Sequence, residues 1–92
     1  MRRNEKWARQ IIETIIAKDE FGVGLYRSDI RSQFSSYVSR SGQSIHGPVE
    51  NVVDYHIHLL ATAGYVKVSP SSENRKYDKV EMTWSGHTYA AQ

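Results

Sequence analysis

Between Val49 and Ala63 apolar side chains recur at helical spacing, the pattern stops at Gly64, and alternation begins at once with Tyr65-Val66-Lys67-Val68. A helix must therefore hand over directly to a strand, and both must bury their apolar sides in one small core. Val49, Val52, Val53, His56, Leu60 and Ala63 share the helix's inner face, with Ile57 and Leu59 on its flanks. Gly47-Pro48 supplies a cap and a Pro at the first helical position, and Glu50 suits the first turn. Gly64 is a natural residue just past the end. The outward face carries Asn51, Asp54, Tyr55, His58 and Thr62.

The segments on either side complete the pattern. A first helix is expected from Glu5 to Lys18, capped by Asn4, with Trp7, Ala8, Ile11, Ile12, Ile15 and Ile16 as its apolar stripe. The glycines of Phe21-Gly22-Val23-Gly24-Leu25-Tyr26 break it, leaving room for a very short strand around Val23, Leu25 or Tyr26. Ser28-Asp29 then opens a second helix, with Ser28 as N-cap, Ile30, Phe34 and Val38 as its buried edge and Gly42 as its end. After the first strand, 69–74 form a polar turn, and Arg75 through Met82 return as a second strand. The odd parity of Tyr77 against Val80 and Met82 predicts a bulge near Asp78. Thr83 caps a last short helix carrying Trp84, His87, Tyr89 and Ala90. Trp7 and Trp84 are expected core anchors.

This order predicts an α+β fold of winged helix-turn-helix type: three helices, a two-stranded wing and a short C-terminal helix, in one domain over 1–92. A plain three-helix bundle with an appended hairpin gives almost the same pattern.

Tyr55-His56-Ile57-His58-Leu59-Leu60-Ala61-Thr62-Ala63-Gly64-Tyr65-Val66 resembles the helix-to-strand stretch of winged-helix regulators, and Val80-Glu81-Met82-Thr83-Trp84-Ser85-Gly86-His87 resembles the end of their wing. The combination Tyr-His-x-x-Leu-Leu-x-x-x-Gly with Thr-Trp-x-Gly-His looks like a family of small bacterial, phage and prophage proteins of unknown function. The motifs cover about a third of the chain, Tyr55 to His87. The family pattern continues with Phe-Leu-Asp and a longer helix, whereas this chain has Thr88-Tyr89-Ala90. The resemblance implies a winged helix and a phage-like origin rather than a chemistry.

Composition excludes several classes. With no Cys among 92 residues there is no disulfide scaffold and no thiolate zinc site, which suits a reducing cytoplasm, the host's if the chain is phage-encoded. No apolar run approaches the roughly 18 residues of a membrane span, so no membrane association is expected. No Gly-rich phosphate loop or Gly-x-Ser-x-Gly elbow is present, so no catalytic residue is assigned and the chain is not expected to be an enzyme. His56 and His58 point about 160° apart on a helix and cannot share an ion. His56 is read as a hydrogen-bonded structural residue, and no metal or cofactor is expected.

Charge then narrows the partner. The net charge is only +2, but it is clustered: +3 over 1–9, −2 over 10–26, +2 over 27–40, −2 over 41–66 and +1 over 67–81. A winged helix reading DNA sets its third helix in the major groove, yet this helix carries no Lys or Arg, and Glu50 and Asp54 are expected to face outward. The basic residues sit on the wing instead: Lys67, Arg75, Lys76 and Lys79, with Asn74 at the turn. Arg2, Arg3, Lys6, Arg27 and Arg31 extend that track only if folding gathers them. The expected function is a DNA-binding regulator of transcription that works mainly through its wing. The alternative is a protein-interaction module that docks on a host complex through the acidic face of helix three, Asn51, Asp54, Tyr55, His58 and Thr62. Nothing in the pattern defines an oligomeric state.

Overall fold

The structure, a computed structural model, describes residues 1–42 and 47–92. Its order is α1 (Glu5–Lys18), β1 (Leu25–Tyr26), α2 (Arg27–Ser41), α3 (Val49–Thr62), β2 (Val66–Ser69), a 3₁₀ turn (Arg75–Tyr77), β3 (Lys79–Met82) and α4 (Trp84–Ala90). The arrangement is α+β with a winged helix-turn-helix layout, and its antiparallel sheet runs β1-β3-β2.

The helices follow from their stripes and caps. In α1 the Asn4 side chain accepts from the Trp7 N–H, and Ala8, Ile11, Ile12 and Ile15 turn inward while Ile16 stays exposed. Helix α2 buries Ile30, Phe34 and Val38 and ends at Gly42, whose φ of 68° is the left-handed conformation that glycine adopts without strain. Helix α3 buries Val52, Val53, His56, Ile57 and Leu60, whereas Ala63 is exposed. These residues and Val66, Val80 and Tyr89 form one core, with Trp7 packed edge-on against Phe34 at 6.1 Å. Among the described residues no helix is long and apolar enough to cross a membrane.

Helix α2 begins at Arg27, not after a Ser28 cap, and no side chain among the described residues caps it. Strand β1 pairs with β3, Tyr26 opposite Lys79, and this feeds the chain straight from strand into helix while the Arg27 N–H donates to the Asp78 carbonyl at 2.8 Å. Backbone pairing thus does the work of the missing cap. Pro48, with an extended ψ of 141°, is the N-cap of α3 rather than its first helical residue. The returning strand spans only Lys79–Met82, and no bulge interrupts its pairing with β2. Tyr77 breaks parity because it belongs to the 3₁₀ turn, where the Asn74 side chain accepts from the Lys76 N–H.

Trp84 is also not a core anchor, being 90% exposed. The cause is Gly86. Helix α4 lies so close to the Tyr65 carbonyl that a Cβ on Gly86 would fall 2.0 Å from its oxygen. Gly86 and Tyr89 therefore face inward, and Trp84 is carried to the outer side. Thr83 fastens this corner, accepting from the Gly86 N–H and donating to the Gly64 carbonyl at 2.6 Å.

Candidate nucleic-acid interface

The outward side of α3 carries the expected row. Asn51, His58 and Thr62 are exposed, and Tyr55 and Asp54 are half-buried. Asp54 does not face solvent as a free carboxylate. The Arg31 guanidinium forks onto it, Nε to Oδ1 at 3.1 Å and Nη2 to Oδ2 at 2.7 Å, and Arg27 Nη1 adds a bond at 3.2 Å. Two cations on one carboxylate cancel much of the repulsion it would exert on a phosphate. Glu50 remains exposed at the start of the helix. The Thr62 hydroxyl donates to the Leu59 carbonyl.

Arg27 also holds the wing. Its Nη2 donates to Asp78 Oδ2 at 3.1 Å, while Asp78 Oδ1 accepts from the Ser71 N–H at 2.8 Å. One buried guanidinium thus ties α3 to the base of the wing, and one buried carboxylate closes the wing loop across from Ser71. The Ser71 N–H holds the Asp78 carboxyl below its usual range; burial pushes the other way, and Arg27 adds to the lowering. Among the described residues Arg27 Nε is buried without a hydrogen-bond partner, a cost the rest of the network must offset.

On the sheet's outer face, period-2 alternation brings Tyr26, Lys79, Glu81, Lys67 and Ser69 to one side. Lys67 reaches Glu81 at 3.9 Å in an exposed pair worth little. Lys79 Nζ lies 5.6 Å from the centre of the Tyr26 ring, and Lys76 Nζ 5.1 Å from that of Tyr77. The two rings meet edge-on at 6.0 Å and are 44% and 43% exposed. Arg75 and Lys76 are exposed on the 3₁₀ turn, and Asn74 is spent on capping it. The wing is therefore a basic surface interleaved with tyrosines, which offers cations to phosphates and flat rings to sugars or bases.

His56 is buried, its Nδ1 donating to the Val52 carbonyl at 2.8 Å and its Nε2 accepting from the Asn4 N–H at 3.0 Å. Both ring nitrogens are engaged within the fold. Among the described residues no three His, Cys, Asp or Glu side chains gather as a metal site.

Sequence reasoning selected the wing and the outer row of α3 but missed the Arg27–Asp54–Arg31–Asp78 cluster. Its partners stand 23, 27 and 51 residues apart, so no local spacing announces it. The fold and this cluster together define a winged helix-turn-helix layout with a locked wing. Comparison with family models, curated proteins and solved structures finds no match to this chain.

Proposed function

We propose that this chain is a small DNA-binding regulator of the phage or prophage type implied by its resemblance, contacting duplex DNA mainly through its wing. The observation that carries this is the exposed Arg75, Lys76 and Lys79 surface, interleaved with Tyr26 and Tyr77 and fastened by Asp78 and Arg27 to the helix that would enter the groove. Phosphate contacts supply most of the affinity of such proteins, so a helix poor in cations is workable when the wing supplies them. Neutralisation of Asp54 by Arg27 and Arg31 favours this reading over docking of a basic protein surface on helix three.

The test is titration of labelled random duplex DNA at two salt concentrations. Binding at about 10–100 μM protein and low salt that weakens steeply with added salt is the expected outcome. No salt-sensitive shift in that range refutes the reading.

A further inference from the structure

The arginines before α1 and the buried His56 both lie outside the wing. They are connected. The Asn4 backbone N–H donates to His56 Nε2 at 3.0 Å, while the Asn4 side chain caps α1 through the Trp7 N–H. The residue that follows Arg2-Arg3 is thus tied by its main chain to the middle of α3. His56 is in turn oriented by the Val52 carbonyl one turn earlier, at 2.8 Å.

The tie holds the chain just after the arginines against α3. Arg3 lines, with Leu59 and Thr62, a groove of about 470 Å³ along one flank of α3. Arg2 and Arg3 line, with Trp7 and Val52, a second depression nearer the start of that helix. At 100° per residue, Val52 and Leu59 mark the flank away from Asp54. The Asp54 flank is the one joined to the wing through Arg27. The outer row of α3 has no cation of its own, yet it is bracketed by Arg2 and Arg3 on one side and by the wing on the other. Both arginines are exposed.

We infer that Arg2 and Arg3 form a second duplex-DNA contact, gripping the sugar-phosphate wall on the side of α3 opposite the wing. This rests on the DNA reading above and extends it. An arm and a wing on opposite sides of one inserted helix straddle the groove it enters, so each supplies cations to a different wall. The pinned start of the arm also lowers the entropy lost when it settles on DNA.

The experiment compares three full-length proteins on the same duplex: the unaltered chain, Arg2→Ala/Arg3→Ala, and Arg75→Ala/Lys76→Ala. All four replaced side chains are exposed, and circular dichroism confirms that the fold is kept. Each doubly substituted protein should lower the slope of log K against log salt by about 1.8, for two lost phosphate contacts. An arm variant that keeps the slope of the unaltered chain, while the wing variant loses its share, overturns the arm and leaves the wing standing. Absence of salt-sensitive binding by the unaltered chain overturns both.

Discussion

Arg27→Met removes a cation that touches both Asp54 of α3 and Asp78 of the wing, and leaves a side chain of similar length in its place. The guanidinium-bearing side chain is 6% exposed, Asp78 8% and Asp54 18%. Breaking a buried ion pair from one side costs about 3–5 kcal/mol, because the partner stays buried and uncompensated. Here the lower end applies. Asp54 keeps both bonds from Arg31, Asp78 keeps the Ser71 N–H, and the unpartnered Arg27 Nε is removed with the rest. The expected loss is about 3 kcal/mol, against a total of roughly 5–14 kcal/mol for a chain of this length. Thermal unfolding followed by circular dichroism should then fall by roughly 12–24 °C. Arg27→Met/Asp78→Asn should recover about 1 kcal/mol or more of that, since no lone carboxylate remains buried. A loss below about 1 kcal/mol for the single variant, the value of a solvent-exposed pair, would refute the claim that this cluster holds the wing.

Three further outcomes follow from the same geometry. The folded-state pKa of Asp78 is depressed, so its contribution to stability is complete above the unfolded value and is lost as pH falls through the lowered one; Asp78→Asn should flatten acid unfolding below about pH 4, read by fluorescence. Burial, and then the hydrogen bond to Glu5, push the Tyr89 phenol up to about 12, so its contribution is intact below the ordinary tyrosine value and fades as pH rises through about 12; ultraviolet titration should show a late phenolate that Tyr89→Phe removes. Gly86→Ala should destabilise by about 1–3 kcal/mol in urea unfolding, because the Tyr65 carbonyl blocks the new methyl, whereas helix propensity alone would favour Ala by about 1 kcal/mol.

What could be read from the sequence was local. The Asn4 and Thr83 caps, the Val52–Leu60 stripe and the handover at Gly64 each reside within a few residues, and each stands as expected. Local pattern misleads where distant chain decides. Strand β1 recruits Tyr26 onto β3 and starts α2 early, which Ser28 gave no reason to doubt. The size of Trp84 suits a core residue, but the missing Cβ of Gly86 selects the side of α4 that packs inward. Helical spacing turns Asp54 outward, and that spacing does not show that two arginines from α2 close over it. At the candidate site, the residues of the wing were legible from composition. Their fixation was not, since Asp78 reads as an ordinary turn residue until Arg27 and Ser71 are brought to it.

The most direct measurement compares the salt dependence of duplex binding for the unaltered chain and for Arg75→Ala/Lys76→Ala/Lys79→Ala, whose replaced side chains are all exposed. Three lost phosphate contacts should lower the slope of log K against log salt by about 2.7 and weaken binding at low salt. A slope unchanged by the loss of those three cations would contradict a wing that carries the contact.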